Sequence, residues 1–110
     1  MKTDTRIYEH PHPGRIVKNL MERNNLSVGE LAEKLKVTRV TTSKLINCRL
    51  SISSEMAVRL TALFGGSIRL WANLQANYEA WLAEKTSKAI FKQIMRLKKT
   101  NRNLEHRAAS

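Results

Sequence analysis

Apolar residues recur at helical intervals in five successive stretches of this chain, and most stretches open on a residue able to cap a helix. Ile16, Val17, Leu20 and Met21 form the first stripe. Pro13 suits the first helical position, where its missing N–H would be unpaired anyway, with His12 in the N-cap region before it. Asn24 and Asn25 end this helix. Ser27 caps the second helix, and Glu30 completes a capping box with it. Leu26 and Leu31 are placed to staple across the cap, and Leu31, Ala32 and Leu35 form the buried face. Lys36 and Val37 make a turn. Thr38 caps a third helix that runs to about Ile46. Ser53 caps a fourth, lined by Met56, Ala57, Leu60, Leu63 and Phe64. Gly65 and Gly66 stop it, Gly65 being expected in the left-handed C-cap conformation. Ser67 caps a fifth, whose stripe is Ile68, Trp71, Leu74, Tyr78 and Trp81. After Glu84 the pattern weakens, although Ile90, Ile94 and Leu97 recur at helical spacing between lysines. That segment extends a helix or folds only against a partner.

The third helix is unusual. Its only apolar residues are Val40, Leu45 and Ile46, with Thr42 turned inward by helical phase. A helix this short and polar is marginal alone, so its outer face is expected to serve a purpose. Two short helices joined by a tight turn, the second with a polar outer face, are the pattern that lays one helix in the major groove of DNA.

Charge supports that direction. The 110 residues carry a formal net charge of +11, which favours a polyanionic partner. Residues 1–83 hold twelve Lys/Arg against seven Asp/Glu, and residues 84–110 hold eight against two. The tail therefore carries about half of the excess, either to touch phosphate or an acidic partner or simply as a solvated segment. The expected organisation is a flexible segment over 1–12, a helical DNA-binding domain over 13–83 and a basic extension over 84–110. The opening residues are polar and proline-broken, unlike a signal peptide, and no apolar run approaches the roughly 20 residues that span a bilayer. The single cysteine, Cys48, excludes an intrachain disulfide and fits a reducing cytoplasm.

On a helix seated in the major groove, the base-reading residues lie on its outward, N-terminal part. Phase puts Arg39, Val40, Ser43 and Lys44 there. Arg39 is able to donate two hydrogen bonds to guanine O6 and N7, and Lys44 to reach a base or a phosphate. Ser43 discriminates weakly, and Val40 offers only apolar contact with a thymine methyl. Thr38, Thr41 and Arg49 suit phosphate contacts, as do Ser27 and the free N–H groups opening the second helix. One such helix reads few base pairs, so two copies on a near-palindromic site are expected. Trp71 is read as core. Tyr78 and Trp81 are either core or the surface that pairs the copies.

Enzymatic chemistry finds no support. His10 and His12 lack a cysteine pair or third histidine, so neither a metal site nor a cofactor is expected. Cys48 has no evident base partner, no glycine-rich phosphate loop is present, and Glu30 and Glu33 read as capping and solvation. An RNA-binding reading would need stacking aromatics on a sheet or a KH-type loop, and neither is visible.

Two stretches, HPGRIVKNLMERNNLSVGELAEKLKVTRVTTSKLIN and SISSEMAVRLTALFGGSIRLWANLQANYEAW, resemble the HigA antitoxins of the lambda-repressor-like helix-turn-helix class. The resemblance covers His12 to Trp81 and is sharpest in LWANLQANYEAW and the HPG at the front. It implies an all-α fold, a five-helix lambda-repressor-like DNA-binding domain; the basic, partly helical tail read from residues 84–110 matches no pattern of that family. It also implies an antitoxin, not an enzyme, that binds a RelE-like mRNA-cleaving toxin and, as a homodimer on double-stranded DNA, represses their shared promoter in the cytoplasm. The alternative is a stand-alone transcriptional regulator without a toxin. By position, Arg39, Val40, Ser43 and Lys44 fall where the family reads DNA, although glutamine is common there in place of Val40. Cys48 falls where glycine is common, so a positive φ would leave it mildly strained.

Overall fold

Each of the first five helices opens on a local side-chain hydrogen bond that the sequence supplies. The computed structural model describes residues 12–109, with side-chain surroundings through residue 99. Helix α1 spans Pro13–Arg23, α2 Val28–Leu35, α3 Arg39–Ile46, α4 Ser54–Phe64, α5 Ile68–Lys85 and α6 Lys88–Ala109. No strand occurs among the described residues.

The caps fall where expected. His12 Nδ1 accepts from the Gly14 N–H at 2.9 Å, with Pro13 at the first helical position. The capping box of α2 is reciprocal: Glu30 N–H donates to Ser27 Oγ at 3.1 Å, and Ser27 N–H donates to Glu30 Oε1 at 2.9 Å. Those bonds hold the Glu30 carboxyl below its ordinary pKa. Thr38 Oγ1 accepts from Thr41 N–H, Ser53 Oγ from Met56 N–H and Ser67 Oγ from Leu70 N–H. Helix α2 ends on Lys36, which is left-handed at φ 59° and ψ 44°. Gly65 ends α4 differently from expectation. Its φ of 89° and ψ of −161° lie in the mirror-image extended region, which glycine reaches without a β-carbon clash.

The chain divides into two compact units, with the break between Glu79 and Ala80 inside α5. In the first unit, α3 packs on α1 and α2, and α4 packs on α2. Val17, Leu31, Leu35, Leu45, Leu60 and Trp71 are buried at its centre. Burying each such aliphatic side chain contributes roughly 1.5–3 kcal/mol, which is how the short, polar α3 is held. Thr42 points inward as predicted, fully buried, and its hydroxyl donates to the Thr38 carbonyl. Gly14 sits where a β-carbon would collide with the Leu45 carbonyl oxygen, so α1 and α3 meet backbone to backbone.

The start of α5 closes the first unit. Trp71 is buried, and its indole N–H reaches the Gly65 carbonyl at 3.3 Å. Gln75 is a buried polar residue absent from the predicted stripe. Its Oε1 accepts from the Ile52 N–H at 2.8 Å, and its Nε2 donates to Glu79 at 3.1 Å. Ile68 departs from its predicted place on the inner stripe: it is 48% exposed.

In the second unit, α6 runs through the segment read from sequence as a partly helical tail. Trp81 is half-buried, with Lys85 Nζ 4.4 Å from its ring centroid. No helix among the described residues is long and apolar enough to cross a membrane.

Candidate nucleic-acid interface

Helix α3 presents its solvent face because its apolar residues are few and one-sided. Thr42, Leu45 and Ile46 point into the core, while Arg39, Val40, Ser43 and Lys44, interleaved with them along the same two turns, are all exposed. Val40 is 64% exposed, although it is one of only three aliphatic side chains on this helix. An aliphatic group held in water at the outer face has no packing role in the first unit. It fits apolar contact with a base.

Arg39 is not splayed into solvent. Its guanidinium lies across Gly29 in the first turn of α2, so that a β-carbon at residue 29 would stand 2.7 Å from Nη2 and 3.0 Å from Cζ. The two helices of the pair are thereby coupled at their N-terminal ends. The missing side chain at Gly29 is a signal that the sequence analysis did not single out.

The predicted phosphate contacts divide by how much hydrogen-bonding capacity the fold leaves them. The Ser27 N–H and Oγ are both engaged in the capping box, with the Glu30 carboxylate beside them. The unpaired N–H groups of the α2 first turn are therefore those of Val28 and Gly29. Thr38 Oγ1 donates to Thr41 Oγ1 at 2.9 Å while capping α3, which leaves the Thr41 hydroxyl proton to point outward. Arg49 is exposed just beyond α3, and its N–H donates to the Lys44 carbonyl at 2.8 Å. Ser43 is also partly engaged, since its Oγ and carbonyl both accept from the Asn47 side-chain amide. Six of the predicted residues, Arg39, Val40, Ser43, Lys44, Thr38 and Thr41, thus lie on or at the cap of one short helix, with Ser27 and Arg49 on the flanking segments.

Cys48 follows the helix at φ 61°, so the condition under which a cysteine there is mildly strained is met. Burial raises its thiol pKa, opposed by the charges of Arg15 and Lys18, so the protonated thiol is favoured. Asn25 and Lys36 also have positive φ, and neither was anticipated. Tyr78 is half-buried, with its ring edge-on to His12 at 4.7 Å and an interplanar angle of 68°. Part of its surface is thus committed within the first unit. His10 lies outside the described residues, as does most of the segment expected to be flexible at the front, and the Nδ1 of His12 is occupied as a cap. No cluster of three or more metal-ligating side chains occurs among the described residues.

A helix-turn-helix with a solvent-facing second helix is what these elements define. Comparison with protein-family profiles gives no match. Individual proteins are more informative. An Escherichia coli K12 protein described as the uncharacterized HTH-type transcriptional regulator YddM is 32% identical over 81 residues, 74% of this chain and 86% of its own length. The Pseudomonas aeruginosa antitoxin HigA, solved with the higBA promoter, is 34% identical, with a TM-score of 0.67 over 77% of this chain and 90% of that one. PA4674 of the same organism, solved with an 18-base-pair operator, is 30% identical, with a TM-score of 0.68 over 74% of this chain and 89% of that one. The chain belongs to the family of helix-turn-helix regulators that includes the HigA-type antitoxins.

Proposed function

We propose that this protein is a sequence-specific DNA-binding antitoxin that neutralises a RelE-like mRNA-cleaving toxin and, as a homodimer, represses the promoter they share. The observation that carries the DNA part is the outer face of α3, where Arg39, Val40, Ser43 and Lys44 stand exposed on a helix whose other side is locked into the core. The similar HigA and PA4674 were solved on promoter and operator DNA, which supports the same use of this face. In this reading Arg39 and Lys44 read bases or hold phosphate, Ser43 and Val40 tune base preference, and Thr38, Thr41, Arg49 and the α2 N-terminus at Ser27 hold the backbone. The domain is the five-helix lambda-repressor-like one, and α6 is its basic extension. Tyr78 and Trp81, both half-buried, contribute the surface that pairs the domains. The complex acts in the cytoplasm on a near-palindromic site.

The experiment is a footprint of the full chain on the DNA preceding its own reading frame, followed by co-expression with the adjacent reading frame. Two protected half-sites one helical turn apart, or a multiple of that, and rescue of growth from a toxic neighbour are expected. A uniform footprint without half-sites defeats the first part, and a harmless neighbour defeats the second. The second reading, a stand-alone regulator, is favoured by the description of the similar E. coli protein as a transcriptional regulator, and it predicts the footprint without the rescue.

A further inference from the structure

Helix α6 carries a face for which neither the helix-turn-helix nor the DNA reading has a use. Ile90, Ile94 and Leu97 are 63%, 55% and 53% exposed in the single chain. Their spacing of four and then three residues is that of a coiled-coil seam, and in the sequence it continues to Asn101 and Leu104. Phe91, 62% exposed, flanks the seam one residue on from Ile90 and widens its apolar edge. At about 1.5 Å per residue the helix is roughly 33 Å long, enough for three heptads.

The charges say what covers this seam. At about 100° per residue, Lys88, Lys92, Arg96 and Lys99 project from the side of the helix opposite Ile90, Ile94 and Leu97. Within residues 88–99 only Lys98 lies beside the seam. A helix built to grip an acidic surface would ring its apolar stripe with these cations. Here they stand away from it, which is the arrangement that lets two like-charged helices approach seam to seam without opposing their charges.

We infer that the apolar seam of α6, centred on Ile94, pairs with the same seam of a second copy of this chain as a two-stranded coiled coil. The inference is independent of the DNA reading of α3. It gives the proposed homodimer a second contact surface besides Tyr78 and Trp81. Two contacts on one chain reinforce each other, because the first raises the effective concentration of the second.

The test is sedimentation equilibrium on the full chain and on Ile94→Glu, Ile94→Leu and Lys92→Glu, with DNA binding and thermal unfolding read in parallel. Both positions are exposed in the single chain, so the first unit is expected to unfold at an unchanged temperature in each variant. Ile94→Glu is expected to weaken dimerisation about tenfold or more, the loss that removing one central anchor brings. Ile94→Leu and Lys92→Glu are expected to stay within about threefold, roughly 0.65 kcal/mol, of the parent. An unchanged dimer in Ile94→Glu would mean that the domain surface pairs the copies alone, and it overturns the inference. So would a monomeric parent at high concentration, a trimer or larger assembly, or equal weakening by Lys92→Glu. A parent chain that binds no DNA while its dimer still depends on the seam counts against the DNA reading and leaves this inference standing.

Discussion

The Arg39 guanidinium fills the space that a β-carbon at Gly29 would take, so the first residue of the exposed helix lies against the first turn of the helix before it. A guanidinium held in place loses less rotamer freedom when it meets a base than one waving in solvent. Gly29→Ala puts a β-carbon 2.7 Å from Nη2, the far end of a flexible side chain, so Arg39 swings away at little structural cost. Alanine also raises helix propensity by up to about 1 kcal/mol over glycine. The expected outcome is a domain as stable as the parent or slightly more so, with weakened specific DNA binding. Thermal unfolding and an operator titration on the same preparation check it. Unweakened binding would show that the resting place of Arg39 is irrelevant to recognition.

Replacing Arg39 itself separates base reading from phosphate holding. Arg39→Ala is expected to cost roughly 1–3 kcal/mol on the native site and to erase preference at one guanine. A site already altered at that base pair should lose little more. Equal losses on both sites would reduce Arg39 to a backbone contact. Lys44→Ala serves as the comparison: a phosphate role for Lys44 predicts uniform weakening and a salt slope shallower by about 0.9.

Gly14 has a different role from Gly29, and the predicted consequence is the reverse. A β-carbon there would strike the Leu45 carbonyl oxygen, which belongs to the backbone of α3 and cannot turn aside. Gly14→Ala must push α1 off α3, at a cost of about 1–3 kcal/mol of overpacking or more. Because the disturbed contact is the one that seats α3, DNA binding should fall along with stability. A variant that melts at the parent's temperature would refute the close approach.

Much of this was legible in the chain itself, because capping chemistry is local. His12, Ser27, Thr38, Ser53 and Ser67 each announce a helix within three residues of themselves, and each accepts the expected N–H. The inward turn of Thr42 followed from phase alone. What stayed hidden depends on residues far apart in sequence. Gln75 reads as a solvent-facing polar residue until Ile52 arrives to donate to it. Arg59 also donates to the Leu35 carbonyl at the end of α2, a bond no local pattern announces. The exposure of Ile68 likewise could not be read from its periodicity, which places a residue on a face without saying how far the neighbouring helix reaches.

His12 makes the front of α1 sensitive to acid. Its Nδ1 lone pair accepts the Gly14 N–H, and its ring packs on Tyr78, so the cap needs a neutral imidazole with the proton on Nε2. Burial lowers its pKa below the ordinary 6.5, and the nearby Glu79 charge opposes that shift only in part. The unfolded chain therefore binds a proton at a higher pH than the fold does. The stabilisation is fully present above pH 6.5 and is lost as pH falls from 6.5 towards the lower folded value. Below that value both states are protonated and no further loss from His12 occurs. His12→Asn supplies another side-chain cap acceptor without a titrating ring. It should flatten the stability profile between pH 7 and pH 5, at the cost of the Tyr78 ring contact, which lowers stability across the whole range by about 0.5–1.5 kcal/mol. Urea unfolding of the parent and the variant at closely spaced pH values reads both effects. A parent whose midpoint holds or rises on acidification through this window would show that the fold does not require His12 to be neutral.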